Sequence, residues 1–254
     1  MILIFTELRK RLVIITATIF IAAIACFALG EQIRAILLQP AHMAYAGLEG
    51  GGLDLQLIFL TPSEALMANI RLAFIAGAAL TLPIILYQVV TIAMIATGRK
   101  RSAVWLTIVM YFLFALGGSF AYFVVLPFAL NFFVGFSGPD LVPSFSIARY
   151  ISFTSSFLFS FGLVFQLPVL FWFLGVVGLV NTAFLRSNRK FALLVIVIFA
   201  AVLTPPDIFS QVLMAIPLMI LYEIGIFMVY LAWRKKGKEQ EKLETQAENG
   251  TSGS

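Results

Sequence analysis

Phe191-Ala192-Leu193-Leu194-Val195-Ile196-Val197-Ile198-Phe199-Ala200-Ala201-Val202-Leu203, then Thr204-Pro205-Pro206-Asp207, then the apolar run Ile208–Trp233: the fold is read outward from this stretch. Two adjacent prolines make a break through which neither run continues as helix. Between Lys190 and Asp207 lie 16 uncharged residues. As a helix rising about 1.5 Å per residue they cover roughly 24 Å, less than a hydrocarbon core of about 30 Å. The second run holds an ionisable group, Glu223, and a proline, Pro217. The pair reads as a short hairpin that either thins the bilayer or keeps its tip below the far surface. An acid inside such a segment is a functional candidate by default.

The composition agrees with a membrane class. Of 254 residues, 61% are apolar and 11% charged, and the mean hydropathy is +1.03. Soluble domains carry about a quarter charged residues. The single cysteine, Cys26, sits in an apolar run, so a disulfide framework and a cysteine metal site are both excluded. The single histidine, His42, stands alone. Arg9-Lys10-Arg11 before the first apolar run resembles a signal-peptide n-region, but no small-residue cleavage site follows. The run is expected to stay as a first span.

Uncharged runs place six spans at about 12–30, 72–96, 104–126, 151–174, 191–203 and 208–233. Ser102–Pro139 is uncharged for 38 residues, too long for one span, and a break is expected at Pro127. The loops are unequal and no repeat of 20–50 residues is visible, which counts against an inverted-repeat transporter. Six spans place both termini on one side with Gly98–Ser102 and Asn181–Lys190. Those four segments hold 14 of the 17 basic residues, leaving Arg34, Arg71 and Arg149 outside them. Basic residues collect on the cytoplasmic side, so both termini are expected there.

Thr61-Pro62-Ser63-Glu64 has the pattern of a capping box, with Thr61 as N-cap and Glu64 at the third helical position. Thr204-Pro205-Pro206-Asp207 repeats it before the sixth span. Helix capping is therefore the ordinary reading of Glu64 and Asp207. Residues 234–254 are charged, then rich in Gly and Ser, and are expected to be a disordered cytoplasmic tail after a transmembrane domain of residues 1–233.

No zinc-binding His pair, Ser/His dyad, paired Asp or phosphate loop is present, so neither an enzyme nor a metal or cofactor site is expected. What remains is a polar surface in the fourth span: Ser152, Thr154, Ser155, Ser156, Ser160 and Gln166, with Gly162 and Pro168 beside them. Hydroxyls at membrane depth can return to their own backbone, so part of this stripe is open to a packing role. The amide of Gln166 needs a partner outside its own turn. Pro83, Pro168 and Pro217 lie inside three spans and are expected to bend them, which suits a concave wall.

Several motifs, in order along the chain, now carry a resemblance. They are Glu7-Leu8-Arg9-Lys10-Arg11, Leu82-Pro83-Ile84-Ile85-Leu86-Tyr87-Gln88, and Phe120-Ala121-Tyr122-Phe123-Val124-Val125-Leu126-Pro127. The longest is Leu203-Thr204-Pro205-Pro206-Asp207-Ile208-Phe209-Ser210-Gln211, continuing to Ala215-Ile216-Pro217 and Tyr222-Glu223-Ile224-Gly225. The chain resembles the TatC family, core subunits of the twin-arginine protein translocase. The resemblance implies an all-α polytopic membrane protein, with six transmembrane helices in a curved, cup-like bundle and short fifth and sixth spans. It implies a receptor for the twin-arginine signal peptides of folded cargo proteins, in the cytoplasmic membrane of a prokaryote. The family works with the single-span subunits TatA and TatB and draws on the proton-motive force. Self-association and a lipid bilayer are expected as partners, and nucleic acid is not.

The residue matching Glu7 works in this family with a glutamate of the first cytoplasmic loop to hold the two signal arginines. Here that loop reads Gly98-Arg99-Lys100-Arg101-Ser102, with Arg101 at about the aligned position. A basic loop repels arginines, so the second one needs another acceptor or binds more weakly. The family motif usually begins with His where this chain has Ile4, and Gln166 matches a site that is often Glu. Glu7, Arg9 and Arg101 are thus the signal-peptide candidates, and Gln166, Ser160 and Pro168 the partner-helix candidates. Asp207, Glu223, Pro40 and Tyr122 are further functional candidates. Glu7 itself has two readings: an i,i+4 partner of Arg11, or a bidentate acceptor for a signal arginine. Glu223, with no basic residue inside any span, is expected either to face a wet cytoplasmic cavity or to act as a neutral hydrogen-bonding acid. A small-molecule or ion transporter, with Glu223 and Gln166 as ligands, and a structural assembly subunit are the competing functions.

Overall fold

The computed structural model describes residues 2–46, 57–58, 61–97, 103–135, 145–203 and 208–251. They are helical apart from turns and one two-residue pairing. Among the described residues ten α-helices run in order as α1 Ile2–Ala28, α2 Gly30–Ala46, α3 Pro62–Thr97, α4 Ala103–Phe120, α5 Leu126–Gly135, α6 Ile147–Val164, α7 Leu167–Val177, α8 Thr182–Ser187, α9 Arg189–Leu203 and α10 Ile208–Thr251. Five stretches among the described residues are long and apolar enough to cross a bilayer: Thr6–Ala28, Ser63–Ile92, Ala103–Phe132, Ile147–Val177 and Met214–Arg234. Helix α9, the expected fifth span, has 15 residues and rises only about 22 Å. Large apolar side chains such as Phe20, Ile24, Trp105, Phe112 and Phe123 are exposed, as lipid-facing residues of spans are.

The chain forms two compact units, Met1–Leu163 and Val164–Ser254. In the first, α1 lies along α3, and α3 also meets α4. Gly77 allows the first contact. A Cβ placed there would sit 2.7 Å from the backbone nitrogen of Ala23, so only a glycine lets these backbones come so close. Phe20 of α1 and Phe74 of α3 lock edge to face beside it, with centroids 5.6 Å apart. A second core gathers Leu37 and Ala41 of α2, Leu72 of α3, Leu126 and Leu130 of α5, and Tyr150 and Ile151 of α6.

One side of this unit is organised by Glu64. Half of the capping box is formed: the Glu64 carboxylate accepts from the Thr61 N–H at 3.3 Å, while the Glu64 N–H bonds the Thr61 backbone carbonyl at 3.1 Å instead of its hydroxyl. The other oxygen of Glu64 accepts the hydroxyl of Ser146, whose own oxygen caps α6 by accepting from the Arg149 N–H at 3.3 Å. Ser146 belongs to β2 (Phe145–Ser146), which pairs in parallel with β1 (Leu57–Ile58). One carboxylate thus ties the starts of two long helices together. The repeat of that cap at Thr204–Asp207 lies outside the described residues.

Three boundaries differ from the sequence reading. The helix does not break at Pro127. Instead Ala121–Val125 forms a π-helical turn, with the Leu126 N–H bonding the Ala121 carbonyl, and α5 follows at once. A proline ring crowds the carbonyl four residues back and donates nothing, and the widened turn just ahead of Pro127 absorbs that mismatch. The fourth span does break. Helix α6 ends at Val164, and a turn at Phe165–Gln166 precedes α7. Pro168 then stands in the first turn of α7, where a missing N–H is least costly, so it starts a helix and does not bend one. Finally, α10 runs on to Thr251 where disorder is expected. The residues after Trp233 are mostly Lys, Glu and Gln, strong helix formers that extend an already nucleated helix.

In the second unit α10 packs against α7, α8 and α9. Close approach again depends on glycine. A Cβ at Gly225 would meet the Phe171 ring at 2.3 Å, and one at Gly175 would touch Val229. Helix α7 ends at Gly178 with φ 95°, a left-handed cap that closes the turn into α8. Asn181 caps α8, its side chain accepting from the Phe184 N–H at 2.7 Å.

Candidate functional site

The basic start of α1 carries the main candidate. Four residues along a helix bring side chains onto one face, so Glu7 and Arg11 meet. Arg11 sends Nε at 3.1 Å and Nη2 at 2.8 Å to the same oxygen of Glu7, Oε1. Its remaining arm, Nη1, donates to Oε1 of Gln88 in α3 at 2.6 Å. The Arg11 side chain is only 14% exposed while that of Glu7 is 45% exposed. The guanidinium is therefore sunk between α1 and α3, and the carboxylate is presented outward from it. Of the two readings of Glu7, the i,i+4 pair is the one formed. A fork-on-fork grip on a ligand arginine would have to displace Arg11, whereas Oε2 is left to take a donor directly. Arg9 is exposed on α1, and Arg101 lies outside the described residues.

Glu223 has the basic partner that the sequence reading set aside: Arg189 Nη2 approaches its Oε2 at 2.8 Å, with both side chains nearly half exposed. The sequence reading sought a cation inside a span. The partner instead stands at the first position of α9, and the packing of α9 against α10 brings it alongside. Next to it, Tyr222 donates to the Leu185 carbonyl at 2.8 Å and stacks edge to face on Phe171.

Gln166 sits in the turn before α7, half-buried, and its carbonyl accepts from the Leu170 N–H at 2.9 Å. Pro168 is buried and Ser160 half-buried. In the rest of the stripe Ser155 returns its hydroxyl to the Ile151 carbonyl at 2.7 Å, the packing role open to it, and Thr154 is fully buried. Asp207 lies outside the described residues.

Pro40 and Tyr122 turn out to be one device. Pro40 lies inside α2 and cannot donate to the carbonyl four residues back, that of Ile36. The phenol of Tyr122, carried by the π turn, donates to that carbonyl at 2.8 Å. Tyr150 donates to the next carbonyl along, that of Leu37, at 2.9 Å. The backbone acceptor that Pro40 frees is thus satisfied by a side chain from another helical segment. Sequence reasoning missed Gln88, Arg189 and Tyr150. Each acts across 34 or more residues, as in the 113-residue separation of Tyr150 from Leu37.

Five long apolar helical stretches among the described residues and arginine–carboxylate pairs at the basic helix starts define a polytopic α-helical membrane protein. A family model described as Sec-independent protein translocase protein (TatC) matches residues 4–217. The Sec-independent protein translocase protein TatC of Carboxydothermus hydrogenoformans is 40% identical over 225 residues, covering 87% of this chain and 88% of that protein. That of Desulforapulum autotrophicum is 34% identical over 238 residues, covering 93% and 86%. The crystal structure of a twin arginine translocase receptor, TatC, superposes with a TM-score of 0.80 at 34% identity, covering 90% of this chain and 99% of that one. The chain belongs to the TatC family of Sec-independent protein translocase proteins.

Proposed function

We propose that this chain is the receptor subunit of a twin-arginine translocase. On this reading Glu7 accepts the guanidinium of a signal-peptide arginine through Oε2, while Arg11 and Gln88 hold the carboxylate in place. The observation that carries the proposal is the presentation of a nearly half-exposed Glu7 by a largely buried Arg11. A carboxylate with an unengaged oxygen at a helix start suits a charge-assisted bond to an incoming guanidinium. Family membership supports the substrate class.

The same reading puts both termini on the cytoplasmic side of a prokaryotic membrane, because 14 of 17 basic residues fall on that side when α9 counts as the fifth of six crossings. TatA- and TatB-type single-span helices are the proposed partners, at the wall that holds Ser160, Gln166 and Pro168, and transport draws on the proton-motive force. The test is co-purification. A twin-arginine signal peptide is expected to come through with the wild-type chain and not with Glu7→Ala at equal yield of inserted protein. Equal capture by Glu7→Ala would remove Glu7 from the site. For the partner wall, Gln166→Leu is expected to lose cross-links to single-span helices without loss of yield. Lower yield with unchanged cross-linking per folded molecule would make Gln166 a packing residue.

A further inference from the structure

The second unit contains a groove of about 430 Å³ bounded by α7, α8, α9 and α10. From the C-cap of α8 into α9 its wall is Asn188, Ala192, Val195 and Phe199, a spacing of three to four residues that keeps one face of α9 in the groove. Phe171 of α7 and Leu218 of α10 stand opposite. The lining is apolar but for Asn188 and the Tyr222 phenol, and both polar groups are already spent within the protein. Asn188 donates to the Phe184 carbonyl at 2.8 Å, and Tyr222 to that of Leu185 at 2.8 Å. The side-chain donors of the lining are thus engaged, and the rest of the wall offers apolar contact.

The two ends differ. From Asn188 to Phe199 the groove covers about 16 Å at roughly 1.5 Å per residue, half of a hydrocarbon core of about 30 Å. Among the described residues its wall starts at the basic end of α9 and covers the depth of about one leaflet. At the open end Arg186, Arg189 and Lys190 are exposed. Glu223 is the acid at this end and Arg189 engages it, leaving Arg186 and Lys190 as uncompensated positive charge there. That depth matches one acyl chain, and the two basic side chains at the mouth match an acidic headgroup better than an apolar partner helix.

We propose that this groove is a binding site for one anionic phospholipid, its phosphate held by Arg186 and Lys190 and one acyl chain lying along α9. Basic residues at the mouth of an apolar cleft between spans are the arrangement that selects acidic headgroups. Each buried methylene of the acyl chain adds to retention. With the orientation proposed above, the lipid comes from the cytoplasmic leaflet, but the test does not depend on sidedness.

The full chain is placed in nanodiscs containing equal phosphatidylglycerol and phosphatidylcholine, and the lipids it retains are counted by native mass spectrometry. The wild type is expected to retain phosphatidylglycerol several-fold over phosphatidylcholine. Ala192→Trp fills the groove and is expected to lower total retention at least tenfold. Leu194→Trp places the same bulk on the exposed side of α9 and should leave retention unchanged. Arg186→Gln with Lys190→Gln, both at exposed positions, should abolish the preference between headgroups and keep the total. Equal retention of the two lipids by the wild type, or full retention by a folded Ala192→Trp, would overturn the proposal. So would capture of a single-span subunit, in place of lipid, by a cross-linker on Ala192→Cys in a Cys26→Ser background.

Discussion

Two carboxylate–guanidinium pairs, Glu7 with Arg11 and Glu223 with Arg189, have the same closest approach of 2.8 Å and opposite settings. In the first, the guanidinium is 14% exposed and has a third partner, Gln88. In the second, both members are nearly half exposed. Water competes for the second pair on all sides, which limits such a contact to about 0–1 kcal/mol. At the start of α1 the protein has excluded water from the cation and left the anion facing outward. Equal distances therefore describe a surface strut in one place and a loaded acceptor in the other.

The largest expected effect comes from breaking the loaded side. Glu7→Ala should abolish export of twin-arginine cargo in cells while leaving insertion intact, and Glu7→Asp should do less harm because the charge survives at a shorter reach. Export at the wild-type rate in Glu7→Ala would reduce the N-terminal pair to a strut like the other.

A bond without charge provides a scale between the two. Tyr122→Phe removes the only hydroxyl of its side chain and leaves the Ile36 carbonyl without that donor, at a cost of about 1–2 kcal/mol in resistance to denaturation. Pro40→Ala restores a backbone donor to the same carbonyl, so in that background Tyr122→Phe should cost about 1 kcal/mol less. Strict additivity in this double-mutant cycle would contradict the pairing.

Gln88→Leu tests whether the third partner matters. With Nη1 of Arg11 released, Glu7 is less well fixed, and signal-peptide affinity should fall several-fold with no change in yield. Equal affinity would show that Arg11 alone suffices. The smallest effect is predicted for Arg189→Gln or Glu223→Gln, within about 1 kcal/mol of stability, and with export retained. A loss of export there would erase the contrast between the two pairs.

Much of this was legible beforehand where the cause is local. Runs of apolar residues between charges locate the membrane-crossing helices, and Thr61-Pro62-Ser63-Glu64 predicts a cap that the structure contains. Glu7 and Arg11 share a helix face by spacing alone. What was hidden depends on which helices become neighbours. Arg189 looks like one more loop cation until α9 packs on α10, and Gln88 is an ordinary span residue until α3 lies along α1. The two misread prolines share a reason. A proline signals that a hydrogen bond is lost, but not whether the chain answers with a wide turn, as ahead of Pro127, or with a new helix start, as at Pro168.

The most direct measurement is the affinity of a labelled twin-arginine peptide for the full chain in nanodiscs, compared among wild type, Glu7→Gln and Glu223→Gln. Glu7→Gln keeps the size and hydrogen bonding of the side chain and removes its charge. The account predicts at least a tenfold loss of affinity in Glu7→Gln and no loss in Glu223→Gln. Wild-type affinity in Glu7→Gln would contradict it.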